Sequence, residues 1–486
     1  MSFIKKYEEK DKKKKLNKKL DTELQFFITI VTLLATSGFG PYTIFLKIKD
    51  LDLLPNVRLE SIKILKRIDI LGKDPLVVMA GTDERGSNFG DFLNGWVSAI
   101  QSGGDVVSYL TTKMNSAFEI YEAQQSALAK KVETVIETYM TIQVVVLAIY
   151  IIITATSTEG VGTAPDPNSI DPLYMVIIMP PTVSFLFLII AGKLNKSKVK
   201  ELDWKKILMF GIPGILGCVA INVLNILPDY GLYILGITLI ISAIWPALNF
   251  KNRYQLSLDA ESGTAQIMRD VAEARKAGLG PEKCVIRTAK RKDYGLFNPI
   301  ANGIANKLEW GMTLDDIFGF IKNEISSFQI LINFKVLFEI ISAGGGNVNT
   351  LNTLAGVAEK MHTIEKTKRE NVKPYVMVGF MLIAITGFTT LLVIESMTSL
   401  GAQLETEDVK REILESDAKS RFELLGIAIL VQSWVSGLFL GKITTGSYSA
   451  GFRYSIFLVI VSIGAILVIQ MKIFSVSAIF RIPCVS

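Results

Sequence analysis

The chain is poor in the residues that do chemistry. In 486 residues there is one histidine, His362, and there are three cysteines, Cys218, Cys284 and Cys484. A lone histidine excludes the HExxH zinc motif and any histidine-rich metal site. No cysteine pair has CxxC spacing, so neither a disulfide framework nor a zinc site is indicated. There is no GxxxxGK[ST] phosphate loop. The nearest match, Gly437-Leu438-Phe439-Leu440-Gly441-Lys442, is one residue short, runs on into Ile443 and ends an apolar run. There is also no GxSxG nucleophile elbow. These gaps exclude ATPase, metalloprotease and serine-hydrolase machinery, and the sequence offers no catalytic, cofactor-binding or metal-binding residues. Strand-like alternation is missing too, which points to an all-α fold.

What the chain has is length in apolar runs. Half of its residues are apolar, and they are concentrated in blocks. Seven candidate spans lie at 141–156, 173–191, 207–227, 230–250, 376–394, 422–440 and 454–469, with up to nine conceivable. Their cores hold almost no ionisable residue: Glu395 sits at an end, and Asn222 and Asn225 are uncharged. A transporter or channel is the alternative reading of such a chain, but it would normally need a polar midplane site. Gly211, Gly214, Gly217, Gly437 and Gly441 suit close helix packing. The lysine-rich stretch 192–206 and residues 251–374 are expected inside, as is a loop at 442–453. The stretch 157–171, without Lys or Arg, is expected outside. On this count the N-terminus is cytoplasmic, and the side of the C-terminus depends on the number of spans.

Net charge is +6, much of it in residues 1–20, where Lys12 to Lys15 form a run. A disordered tail or contact with anionic lipid is the reading of that run, and nucleic acid is not an expected partner. The following stretch, 24–35, has the look of a secretory signal. An internal repeat argues otherwise.

Gly38-Phe39-Gly40-Pro41 returns as Gly278-Leu279-Gly280-Pro281. Leu71-Gly72 is echoed by Trp310-Gly311, and Gly103-Gly104-Asp105-Val106 by Gly345-Gly346-Asn347-Val348. Three landmarks in one order at nearly constant spacing mark a duplicated helical module, each copy leading into an apolar run. Residues 24–37 then form the first helix of module one, the counterpart of a charged helix near 264–277. Further helices are expected near 42–50, 57–71 and 89–102, and in module two at 282–292, 298–309, 314–343 (with room for a break inside it) and 348–373. Gly38, Gly72, Gly104, Gly278, Gly311 and Gly346 read as helix punctuation, and Pro41 and Pro281 as structural residues of the GxGP turns. The resulting layout is a basic tail 1–20, a first helical domain 21–140, four spans in 141–250, a second helical domain 251–374 and C-terminal spans in 375–486.

Three charged clusters are candidate docking residues for a partner. They are Lys66, Arg67, Asp69, Lys73 and Asp74; Lys290, Arg291 and Lys292; and Lys366, Lys368 and Arg369.

Two helical modules, each with a GxGP turn and a GGDV-type landmark before a membrane segment, resemble the type II secretion system F domain family. The archaeal version is similar in Arg67-Ile68-Asp69-Ile70-Leu71-Gly72-Lys73-Asp74-Pro75-Leu76, in Ser102-Gly103-Gly104-Asp105-Val106 and in Glu137-Thr138-Tyr139. The glycine-rich stretch 437–446 with Ser447 also resembles it. The resemblance implies a multi-pass cell-membrane platform without enzymatic activity, in an archaeal type IV pilus-like machine: an archaellum (FlaJ-like) or an adhesive pilus. Its implied partners are a cytoplasmic hexameric secretion ATPase, pilin or archaellin subunits, and a second copy of itself in the lipid bilayer. No catalytic residue or cofactor is implied.

Overall fold

Helix ends in this chain are written by glycine and proline. Phe39 N–H reaches back to Leu34 O and Met312 N–H to Lys307 O, both at 3.1 Å. These are the wrapped helix ends that need a left-handed residue between. Gly38 (φ 92°) and Gly311 (φ 72°) supply it, and Gly278 and Gly72 do the same in the sister positions. Pro41 and Pro281 open the next helices, where a missing N–H costs nothing.

The protein is seen here as a computed structural model that describes residues 2–81, 88–157, 172–194, 230–291, 293–342, 344, 346–404 and 408–470. Among them all regular structure is helical. Module one comprises α1 (Ser2–Thr36), α2 (Pro41–Lys49), α3 (Pro55–Leu71), α4 (Pro75–Ala80), α5 (Asn88–Gln101) and α6 (Val106–Ser157). After α7 (Pro172–Leu194), module two uses α8 (Gly231–Lys276), α9 (Pro281–Arg291), α10 (Asn298–Glu309), α11 (Leu314–Glu324), α12 (Phe328–Ser342) and α13 (Val348–Leu404). A 3-10 turn, Gly295–Phe297, precedes α10. The chain closes with α14 (Asp408–Thr445) and α15 (Tyr448–Gln470).

Several boundaries differ from those read in the sequence. The expected helix 264–277 is the end of α8, which begins in the apolar run at Gly231. No helix breaker other than Gly263 stands between 247 and 277, and Gly263 is tightly packed: a Cβ there would meet the Phe297 ring at 2.9 Å. The break allowed for within 314–343 is present, with two helices parted where Ile325 turns extended. The loop expected at 442–453 shrinks to Gly446 and Ser447 between α14 and α15, so Lys442 and Arg453 are helical residues rather than loop charges. At the third landmark the left-handed residue is Gly103, not Gly104; in module two Gly344 and Gly346 both have positive φ.

Among the described residues, five helices are long and apolar enough to cross a membrane, within Val106–Ile149, Gly231–Lys276, Val348–Thr389, Phe422–Thr445 and Tyr448–Val468. A shorter apolar stretch, Ile178–Leu194, lies in α7. The chain is an all-α polytopic membrane protein. The run 207–227, with Gly211, Gly214, Gly217 and Cys218, lies outside the described residues, as does Cys484.

The chain divides into two compact units. The first joins residues Met1–Ala127 with Gln255–Thr367, so both helical modules contribute to it. The apolar stretch near 24–35 is the core of this unit: Phe27, Val31 and Leu33 are wholly buried. Phe27 packs on Phe89 (5.0 Å between ring centres) and Phe92, and Phe45 packs on Trp96. Phe26 of α1 stands edge-on to Phe328 of α12 at 4.7 Å. Each such buried ring contributes about 1.5–3 kcal/mol. Module two adds Ile267, Val271, Cys284, Phe297, Ile304 and Phe334 to the same core. The equivalence of α1 and the end of α8 is thus visible in packing, though α1 is the more apolar.

The second unit joins Leu128–Tyr254 with Lys368–Ser486. Its tightest joint is the α14–α15 hairpin. A Cβ on Gly441 would lie 2.1 Å from Gly451 Cα, and one on Gly437 would lie 2.4 Å from Ser455 Cα. Only glycine lets the two backbones approach so closely, the small-residue packing expected of lipid-embedded helices. The Gly437–Lys442 stretch is therefore a helix-packing face, not a phosphate loop.

Candidate functional site

The second landmark of each module ends in an exposed apolar knob. α3 closes with Ile70 and Leu71, exposed by 76% and 58%, before Gly72; α10 closes before Trp310, exposed by 75%, and Gly311. Val77 and Met312 lie beside them in sequence and are also exposed. Exposed tryptophan and clustered aliphatic side chains on an otherwise polar surface are a mark of interaction sites. The Leu71-Gly72 and Trp310-Gly311 echo in the sequence carries this signal in the residue before each glycine.

The candidate charges fall around these turns. Lys66, Asp69, Lys73 and Asp74 are exposed and Arg67 is half-buried. Asp74 is committed to structure: its carboxylate accepts from Leu76 N–H at 2.8 Å and caps α4. Asp69 accepts from the Tyr42 hydroxyl at 3.2 Å, which raises the Tyr42 phenol above its ordinary value. Lys290 pairs with Glu309 at 2.7 Å, next to Trp310, and Arg291 is exposed beside it. Lys366 is exposed in the first unit, whereas Lys368 and Arg369 are half-buried and belong to the second. Lys292 lies outside the described residues. The first two clusters therefore each gather at one turn, and the third is split.

Within the first unit an ionic cluster ties α2 to α11 and α12. Lys47 Nζ lies 2.9 Å from Glu339, and Lys335 Nζ lies 3.0 Å from Glu339 and 2.8 Å from Asp315. Burial pulls the Lys335 ammonium down, but the bonds from Asp315 and Glu339 outweigh it and leave it above its ordinary value. Asp315 is held low, chiefly by the hydrogen bond from Lys335. The void that Lys47, Lys335 and Glu339 line, with Ile30, Leu34, Ile48 and Leu51, measures about 10 Å³. Ligand pockets run to about 300–1,000 Å³, so this void is a packing defect at a junction. Nearby chain positions supply a buried polar trio, Tyr121, Gln329 and Glu365, which joins α6, α12 and α13.

The second unit buries uncharged polar residues within its apolar helices. Tyr139, Gln143, Ser184, Gln432 and Ser436 are buried together and joined by hydrogen bonds. Ser433 and Ser462 pair across α14 and α15 at 2.6 Å. Lys442, 3% exposed, donates to Gly446 O at 2.6 Å and lies over the Tyr448 ring. Glu133 of α6 accepts a hydrogen bond from Tyr375 of α13. Scattered serines, glutamines and tyrosines carry no sequence pattern until the helices that hold them are set side by side.

Among the described residues no group of three or more His, Cys, Asp and Glu converges in a metal-binding arrangement. No curated protein and no solved structure matches the chain. Residues 26–154 match the family described as Type II secretion system (T2SS), protein F; the match starts in the buried half of α1 and ends in the apolar part of α6.

Proposed function

We propose that this protein is the membrane platform of an archaeal type IV pilus-like machine, an archaellum or an adhesive pilus. In this reading a cytoplasmic secretion ATPase drives insertion of pilin or archaellin subunits into a filament, and the platform converts the ATPase cycle into movement in the bilayer. The observation that carries the reading is the family match, which takes in a helical module together with the helix that leads into the membrane. The second module repeats its landmarks and its order of helices.

The form of the long helices supports it. α6 and α13 have 52 and 57 residues and each starts in the first unit and ends in the second. Each is one helical run that continues from a polar module into an apolar stretch, with Pro374 set inside α13. The first unit faces the cytoplasm with the N-terminus, and two copies of the chain form the base. The exposed turns at Leu71 and Trp310, rimmed by Lys66, Lys73, Lys290 and Arg291, with Lys366 on α13, take up the ATPase. One apolar anchor in each module, ringed by charge, is the usual composition of a protein-binding hot spot.

Co-purification with the secretion ATPase of the host tests this. Charge reversal at Lys66, Lys73, Arg291 and Lys366, combined with Trp310→Ala and Leu71→Ser, abolishes capture of the ATPase and filament assembly while thermal unfolding stays unchanged. Capture and assembly at wild-type levels would reject the docking surface. Solute flux in proteoliposomes lacking the ATPase would instead favour a channel or transporter.

A further inference from the structure

Tyr139 and Gln143 stand four residues apart on α6, one helical turn, and Gln432 and Ser436 stand four apart on α14. They meet as two rungs in antiparallel order. Tyr139 Oη lies 2.7 Å from Ser436 Oγ, and Gln432 Nε2 donates to Gln143 Oε1 at 2.9 Å. Ser184 of α7 sits between the rungs. Its Oγ is 3.0 Å from Tyr139 Oη, accepts from Gln143 Nε2 at 3.2 Å and also lies 3.2 Å from Ser436 Oγ. Four of the five side chains are wholly buried and Gln432 is 5% exposed. Around them the contacts are apolar: the Tyr139 ring packs on Phe439 at 4.6 Å and on Phe187 at 5.3 Å.

Equal spacing on both helices makes this pairing repeat after one turn. A slide of α6 along α14 by one turn in one direction places Gln143 against Ser436. In the other direction it places Tyr139 against Gln432. Either position re-forms one polar rung beside Ser184. A slide of half a turn forms none and leaves two amides and a phenol without partners in an apolar bundle, which is costly where no water can replace them. The observed position keeps both rungs and also the Glu133–Tyr375 bond in the same unit, so it is the resting one.

We propose that this network is a detent: it holds α6 at one axial register against α7 and α14 and makes a one-turn step, about 5.4 Å, the next allowed position. One-turn ratchets of a helix past its neighbour are a known form of bistable packing. The inference rests on side-chain geometry within the second unit. It stands or falls separately from the proposed function, because its readout needs neither ATPase nor filament.

Disulfide trapping in the full chain reads it directly. With Cys218, Cys284 and Cys484 replaced by Ala and the protein in lipid nanodiscs, four cysteine pairs are compared. Gln143→Cys with Gln432→Cys reports the observed register. Tyr139→Cys with Leu440→Cys, which keeps the Gln143–Ser436 rung, and Gln143→Cys with Ala428→Cys, which keeps the Tyr139–Gln432 rung, report the two one-turn positions. Gln143→Cys with Leu440→Cys, two turns away, is the background. The expected result is that at least one of the one-turn pairs closes tenfold or more faster than the background pair. Rates for both no greater than background overturn the detent. If a double-cysteine chain fails to fold, spin labels at the exposed Val145 and Leu186 replace it, with the network intact and with Ser184→Ala. A second distance population on Ser184→Ala supports the detent, and a single unchanged distance overturns it.

Discussion

Tyr121 and Glu365 meet inside the first unit, 244 residues apart in sequence, with the phenol oxygen 3.4 Å from the carboxylate and Gln329 Nε2 donating to both at 3.3 and 3.2 Å. The two lie at almost equivalent places in the repeat, since the third landmarks are 242 apart. The two copies of the module therefore meet near corresponding points of their long helices. The contact therefore holds α6 and α13 together through groups that apolar packing alone would not align.

Gln329→Leu leaves the Tyr121 hydroxyl and the Glu365 carboxylate with one partner fewer in a buried site, at a cost of about 1–3 kcal/mol. Tyr121→Phe costs about 1 kcal/mol. Thermal unfolding of the two single variants and the double variant in detergent gives a coupling energy of about 0.5–2 kcal/mol, because both side chains serve one network. Additive losses would show that the trio is not a unit.

The Lys335 cluster carries a pH signature. Asp315 is depressed, so its contribution is complete above the unfolded value of 3.8 and is lost as pH falls through the lower folded value. Lys335 is raised, so its contribution is complete below 10.5 and is lost as pH rises through the higher folded value. Lys335→Met is expected to cost about 1–3 kcal/mol near neutral pH. The gap in unfolding temperature between variant and wild type stays level from about pH 5 to 9 and narrows beyond both ends. A gap independent of pH through the acid limb would assign the loss to packing alone.

Gly441 tests the hairpin of the second unit. Gly441→Ala forces a methyl against Gly451 Cα, so α14 and α15 must part, at about 1–3 kcal/mol. Gly464→Ala, on α15 where nothing lies within 4 Å of the added carbon, is neutral or slightly stabilising. Heat-induced aggregation of the two variants in the same detergent separates them; equal behaviour would contradict the close crossing.

Trp310 separates docking from folding. At 75% exposure its removal leaves the core untouched, so Trp310→Ala shifts unfolding by less than about 0.5 kcal/mol. If the turn is a hot spot, binding of the ATPase falls about thirtyfold, about 2 kcal/mol. Surface plasmon resonance with immobilised platform measures it, and an unchanged affinity removes Trp310 from the interface.

Much of this protein was legible in one dimension. The GxGP and GG landmarks fixed where helices stop and start, because a left-handed residue and a missing N–H have few sequence solutions. Helix starts read at 42, 282 and 348 lie within one residue of those found, Pro41, Pro281 and Val348. The placement of 24–35 in a core rather than in a signal came from the repeat. The fusion of 231–276 into one helix did not, since a loop was assumed wherever polarity changed. Polarity marks the solvent that a helix meets and says nothing about whether its backbone breaks.

The sequence by itself determined that the chain is helical, membrane-crossing and duplicated, because periodicity, run length and turn chemistry are local properties. Only the tertiary structure decided which polar side chains meet. Lys47 with Glu339, Tyr121 with Glu365 and Tyr139 with Ser436 are 292, 244 and 297 residues apart. The partner of a buried polar group is chosen by how helices pack, and no local pattern along the chain encodes that choice.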